Sequence, residues 1–201
     1  MLLRIFFAFL ILLAGYLGYQ FYKIQDAKAS LRNIDSVYTI GPENADLTVI
    51  EFMDYSCIYC QQVHPVILEA ITMDGNVRLA PRPLMSRNPD GSSAAYVAYA
   101  AAEQGKFVQA HNYLIENSEN LTKERIPEIA AAIGIDEEKL TADINSEKTL
   151  RLVKANQYDF QNLGGYGTPS FFIGPELMYT PSGRMPTVED FQKLFAEARG
   201  Q

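Results

Sequence analysis

The sequence predicts an α/β domain with a block of helices inserted into its sheet, preceded by one membrane-spanning helix. Three observations predict it. Short apolar, β-rich runs, LTVIEFM (Leu47–Met53) and NVRLAPRPLM (Asn76–Met85), bracket a stretch of helical periodicity. Strand character returns only after a long helical block, in SFFIG (Ser170–Gly174) and LMYT (Leu177–Thr180), and a last helix follows. Ahead of all this, IFFAFLILLAGYLGYQFY (Ile5–Tyr22) runs 18 residues without a charge; as a helix that is about 27 Å, close to the hydrocarbon thickness of a bilayer.

Each element has its own signal. Arg4 precedes the apolar run, and Tyr16, Tyr19 and Tyr22 crowd its far end, where interfacial aromatics belong. Residues 1–23 therefore read as an anchor. The rival is a cleaved signal peptide, since AKAS (Ala27–Ser30) has cleavage-site spacing, although it lies beyond Lys23 and Asp26. Arg4 on one flank and Lys23 and Lys28 on the other leave the orientation open. Residues 24–35 read as a polar connector, and SVYTI (Ser36–Ile40) as a first edge strand, ended by the turn residues GPEN (Gly41–Asn44). After Leu47–Met53 a helix starts at Cys57; Val63, Val66, Ile67, Ala70 and Ile71 form its apolar face, and Pro65 is expected to kink it. The second strand is expected to end at its prolines. Ser92 or Ser93 caps the next helix, which ends near Gly105, and a further one carries Phe107, His111 and Leu114. KERIPEIAAAIG closes at Gly134, Asp136 caps a short helix through Ile144, and Ser146 caps a longer one with Leu150, Val153, Phe160 and Leu163 inward, stopping at Gly164 and Gly165. Thr187 caps the final helix, whose first turn holds Glu189 and Asp190 and whose inner face holds Val188, Phe191, Leu194, Phe195 and Ala198.

At 201 residues the chain is long enough for one well-cored domain. Its net charge is −7, and removing Arg4 and Lys23 with the anchor leaves the remainder at −9. There is no Lys/Arg cluster, so nucleic acid is not an expected partner. No nucleophile elbow supports Ser-His-Asp catalysis, and no glycine loop is suited to phosphate. The tyrosines and phenylalanines read as core and surface.

The chemistry gathers in EFMDYSCIYCQQVHP (Glu51–Pro65), which holds both cysteines, Cys57 and Cys60. They can be a redox couple, a metal half-site or a staple. A disulfide closing so small a loop constrains the unfolded chain little, so the staple is the weakest of the three. At a helix start, residues i and i+3 share a face. Bare amide N–H groups there favour a thiolate at Cys57, while Cys60, one turn in, is shielded. Cys57 is then the attacking sulfur and Cys60 the one that resolves a mixed disulfide. Glu51, a lone carboxylate on an apolar strand, can take the proton of Cys60; alternatively it points off the sheet or pairs with a Lys or Arg. His64 lies one turn beyond Cys60, so Cys57, Cys60 and His64 could hold Cu(I), although such a histidine is more often a solvated or packing residue. His111 reads as helix packing.

VIEFMDYSCIYC resembles the active-site segment of DsbA-like thiol:disulfide oxidoreductases of the thioredoxin superfamily. The acidic residue six positions before the first cysteine is Glu51, and the proline five after the second is Pro65. GYGTPSFFIG is similar to the family's cis-proline loop, with Thr168 and Pro169 in place, and residues 92–163 resemble its helical insertion. The likeness covers about 36–199. It implies a thioredoxin-like fold in which Thr168 pairs with an extended substrate segment beside Cys57. It also implies substrate contacts from Ile58 and Tyr59, and no cofactor beyond the redox-active Cys57–Cys60 disulfide. The implied partners are cysteine-containing exported proteins and a membrane redox partner that resets the pair, and the implied place is the periplasmic face of a bacterial inner membrane. No cysteine exists outside the pair, which agrees with an oxidising compartment. Net oxidation is the favoured direction, with reductase or isomerase activity the near alternative and a Cu(I)-binding module the alternative of another class. Ile58-Tyr59 stands where strongly oxidising members carry Pro-His, so the expected potential lies below about −120 mV. There is no Trp near the site. No separate dimerisation domain fits the connector, and Ala14 and Gly18 form only a weak small-xxx-small pair in the anchor.

Overall fold

The computed structural model describes residues 2–32, 34–86, 89–117, 121–174 and 176–200. A four-stranded sheet lies at its centre in the order β2-β1-β3-β4, formed by β1 (Leu47–Met53), β2 (Val77–Pro83), β3 (Ser170–Ile173) and β4 (Leu177–Tyr179). β1 pairs parallel with β2 and antiparallel with β3, and β3 antiparallel with β4. Because side chains alternate along a strand, β1 feeds two cores. Leu47 and Val49 join Phe171 and Ile173 against α2 (Ile58–Asp74) and α8 (Val188–Ala198), through Val63, Ile67, Phe191 and Phe195. Ile50 and Phe52 join Ala80 and Phe172 on the other face, against Phe160 of α7 (Glu147–Asn162) and Leu31. Glu51 falls on the α2 face, where its neighbours in β1 are apolar.

Between β2 and β3 sit α3 (Pro89–Ala102), α4 (Phe107–Asn117), α5 (Ile126–Ile133), α6 (Glu137–Ile144) and α7. They close an alanine-rich core that also takes in Met53, Tyr55 and Cys60. The inserted helices are thus packed directly onto the cysteine segment. The caps form as expected: Asp136, Ser146 and Thr187 accept from Lys139, Thr149 and Asp190 backbone N–H groups, and the Asp190 carboxylate answers Thr187 in a capping box.

Three expectations are corrected. α1 is a single helix from Leu2 to Arg32, so the segment 24–32 is helical rather than a loose connector. Its residues Ala27 and Leu31, four apart and hence on one face, are buried, while its apolar window is wholly exposed. This helix is long and apolar enough to cross a membrane. Ser36–Tyr38 is a 3-10 turn, because the Asp35 side chain accepts from Val37 N–H and coils the backbone; only Ile40 bridges to Leu79. β2 runs through Pro81, which an edge strand permits, and ends at Pro83, as expected. α3 begins at Pro89, ahead of Ser92 and Ser93, and Pro65 lies inside α2.

Candidate active site

The turn that carries the first cysteine is shaped by Asp54. Its Oδ1 accepts from Ser56 N–H (2.9 Å) and Ser56 Oγ (2.8 Å), Oδ2 accepts from Ser86 Oγ (2.6 Å), and its carbonyl accepts from Cys57 N–H (3.0 Å). The chain then enters α2 with Cys57 as N-cap, in extended backbone geometry (φ −86°, ψ 114°). Cys60, one turn on, is completely buried, while Ile58 and Tyr59 stand out at 57% and 59% exposure. Both cysteines are free thiols.

Across from α2 lies the turn before β3, where the Thr168–Pro169 peptide is cis. Cys57 Sγ approaches the Thr168 carbonyl oxygen to 3.4 Å. Two segments 111 residues apart in sequence therefore face each other through one sulfur. A groove of about 240 Å³ opens beside them, lined among others by Tyr59, Val63, Thr168, Pro169, Arg184 and Met185.

Cys57 is brought down from the usual thiol range to about 5. The largest cause is a hydrogen bond from the Cys60 thiol; burial opposes it, and the Thr168 side chain and the amides of Cys60 and Tyr59 add to it. The helix-end amides thus contribute as expected, but less than the partner thiol. Cys60 is pushed far up, first by burial, then by its bond to Cys57 and by the nearby Glu51 charge. At neutral pH the arrangement holds a thiolate beside a thiol. That is the charge pattern of a couple that attacks with one sulfur and resolves with the other.

Glu51 is turned into the core rather than out to solvent, and among the described residues it meets no Lys or Arg. It is completely buried, and its Oε2 lies 3.9 Å from His64 Nδ1. His64 is not solvated: it is 5% exposed and turned under α2 toward Glu51 and His111. Among the described residues no group of three His, Cys, Asp or Glu side chains is placed to hold a metal ion. His111, expected only to pack, also shares a 2.9 Å hydrogen bond with the buried Tyr55 hydroxyl through Nδ1. Tyr55 was not singled out from sequence; its place directly before the cysteine turn is the one signal that marks it.

The thioredoxin family model matches residues 33–195, most of the chain. The chain belongs to the thioredoxin family. Among solved structures, this thioredoxin-family chain is similar to a thioredoxin-like oxidoreductase from Silicibacter pomeroyi. The two are 28% identical, with 84% of this chain and 99% of the other covered and a TM-score of 0.74. It is similar in fold to the thiol-disulfide exchange protein alpha-DsbA2 from Wolbachia pipientis (22% identity, 88% and 97% covered, TM-score 0.71). BdbD from Bacillus subtilis is a further fold neighbour (18% identity, 82% and 93% covered, TM-score 0.70). The fold is that of DsbA-like thiol-disulfide oxidoreductases. Among curated proteins, the chain is 29% identical over 168 residues to the Na(+)/H(+) antiporter NhaA 3 of Salinispora tropica and 31% identical over 134 residues to the NhaA antiporter of Herminiimonas arsenicoxydans. These matches take in 82% and 66% of this chain but 26% and 21% of the antiporters, so the chain spans about a quarter of their length or less.

Proposed function

We propose that this protein is a membrane-tethered thiol:disulfide oxidoreductase that transfers its Cys57–Cys60 disulfide to cysteine-containing exported proteins at the periplasmic face of a bacterial inner membrane. The observation that carries this reading is the Cys57 sulfur, held near pKa 5 between the Cys60 thiol and the Thr168–Pro169 turn. In the oxidising direction a substrate thiolate attacks Cys57 Sγ of the disulfide, and Cys60 leaves and takes up a proton. A second substrate thiolate then attacks the first substrate sulfur, closing the substrate disulfide and releasing Cys57 as a thiolate. Because that thiolate is stabilised, it is a good leaving group, which favours handing the disulfide on. Glu51 acts as the group that exchanges a proton with Cys60, supported by its burial and by its electrostatic reach to that sulfur. The exposed Ile58 and Tyr59 and the groove along Pro169 suit an extended, partly apolar peptide pairing with Thr168. α1 is the tether, and a separate membrane redox protein restores the disulfide.

Reductase or isomerase activity is a second reading, favoured by Ile58-Tyr59, which lack an imidazole to hold the thiolate. A thiol pKa near 5 lies between those of the strong oxidant DsbA, about 3.5, and of thioredoxin, about 7. The expected Cys57–Cys60 potential accordingly lies between about −120 and −270 mV. Equilibration of the full chain in glutathione buffers measures it. A value well above −200 mV supports the oxidase, and one near −270 mV overturns that direction in favour of a reductant. Cys57→Ser is expected to abolish dithiol turnover.

A further inference from the structure

Behind Cys60, ionisable side chains from separate elements meet in the interior. Glu51 of β1 is completely buried, and neither carboxylate oxygen has a hydrogen-bond partner among the described residues. His64 of α2 is 5% exposed; its Nδ1 lies 3.9 Å from Glu51 Oε2, and neither ring nitrogen has a hydrogen-bond partner among the described residues. His111 of α4 stands against it, ring centroids 4.8 Å apart and planes at 73°, with Nδ1 bonded to Tyr55 and Nε2 unpartnered in the same sense. Buried polar groups without partners cost free energy, and a carboxylate with two imidazoles is an expensive way to fill a core. A packing histidine needs no carboxylate facing it and no route out. His64 has the carboxylate, and although both its ring nitrogens are buried it is also one of the residues lining a surface pocket with Gln61, Pro65 and Leu68 of α2 and Asn112 and Glu116 of α4.

We infer that His64 is the exit for the proton that Cys60 exchanges with Glu51, its imidazole passing the proton between the buried carboxylate and the pocket on the α2–α4 surface. The inference rests on the thiol-exchange reading above and extends it. When Cys60 resolves a mixed disulfide, its S–H proton goes to the Glu51 carboxylate. The Cys60–Cys57 bond forms as the bond from Cys57 to the substrate sulfur breaks, and the substrate leaves as a thiolate with the electron pair. The proton on Glu51 then moves to His64 and on to solvent, which frees Glu51 to take up the next one. In the oxidising direction the same path runs inward and protonates the departing Cys60. The 3.9 Å gap is one that a small rotation or a single water spans. The titratable groups against His64 are Glu51 from β1 and His111 from α4, with Tyr55 bonded to His111 and Glu116 of α4 lining the same pocket. His111 is pushed well below the usual histidine range, first by burial and then by the charge of His64, so it stays neutral and leaves the carrying to His64. His64 touches neither sulfur and is a positioning residue for the proton.

The test uses the reduced full chain in detergent and a disulfide-linked pair of fluorescent peptides. Cys57 attack releases the first peptide and Cys60 resolution the second. In His64→Ala the first phase is expected to keep its rate and amplitude, which also reports a folded site, while the second slows by about tenfold or more. Added imidazole, entering the cavity left at the pocket, restores the second phase, and its midpoint follows the added base. His64→Gln, which fills the space without a proton carrier, slows the second phase in the same way. A second phase that is unchanged in both variants, or slowed without rescue by imidazole, overturns the inference and leaves the function intact. A wild-type chain that releases neither peptide overturns the function itself.

Discussion

With Cys57 brought to about 5 and Cys60 pushed up mainly by burial, two cysteines one helical turn apart stand as thiolate and neutral thiol at neutral pH. Alkylation reads this directly. Iodoacetamide is expected to modify Cys57 at a rate nearly constant from pH 6 to 8, where a free cysteine accelerates by roughly two orders of magnitude, and to spare Cys60 throughout. A Cys57 that accelerates like free cysteine overturns the assignment. The same shift makes stability depend on pH. A group whose folded pKa lies below its unfolded value stabilises the fold fully above the unfolded pKa, less as pH falls, and not at all below the folded one. For Cys57 that window runs from about 9 down to about 5. Reduced chain is therefore expected to gain thermal stability over the disulfide form as pH rises from 5 to 8. Cys60, shifted the other way, works against stability only above the ordinary thiol range, so it does not disturb that window. A difference between the two forms that is flat across pH 5–8 contradicts the thiolate.

The elements around the site depend on close approaches that composition does not announce. Gly165 ends the turn after α7, and a Cβ there would land on the Phe160 ring, which packs against Phe52 with centroids 5.4 Å apart. Gly165→Ala is expected to displace that ring and cost about 1–3 kcal/mol by overpacking. It is also expected to slow dithiol exchange by shifting the turn that carries Thr168; urea unfolding and turnover of one sample measure both, and an unchanged midpoint speaks against the close packing. Much of this layer was legible in advance: the succession of strands and helices from Leu47 onward, the caps at Asp136, Ser146 and Thr187, and Cys57 at a helix start all follow from local chemistry. What was not legible depends on distant partners. Gln25, Asp26 and Lys28 made 24–32 look like a connector, because the helix there is stabilised by packing of Ala27 and Leu31 rather than by its own polarity. Likewise Tyr55, His64 and His111 meet only because the topology lays α4 across α2. No spacing along the chain encodes that meeting, so His64 read as a solvated or packing residue or a copper ligand, and His111 as simple packing.

At the level of the whole molecule, α1 is fastened to the thioredoxin-like domain rather than strung from it. Ser30 bonds Asp159, Arg82 Nη2 lies 2.6 Å from the same carboxylate, Lys28 pairs with Glu176, and the Lys23 ammonium sits 5.8 Å from the Tyr158 ring centroid. The Asp159 side chain is 4% exposed and that of Arg82 14%. Asp159→Ala strands a largely buried guanidinium and is expected to cost about 3 kcal/mol. It should also open residues 24–32 to protease before the domain unfolds, and resistance equal to wild type would mean that the fastening lies elsewhere. With the outer part of α1 in a bilayer, a helix that never breaks before it is clamped leaves the head no leash. Under the proposed tethering, its sulfur then sweeps a thin layer at one height above the lipid, and the exported cysteines it would meet are those presented at that height.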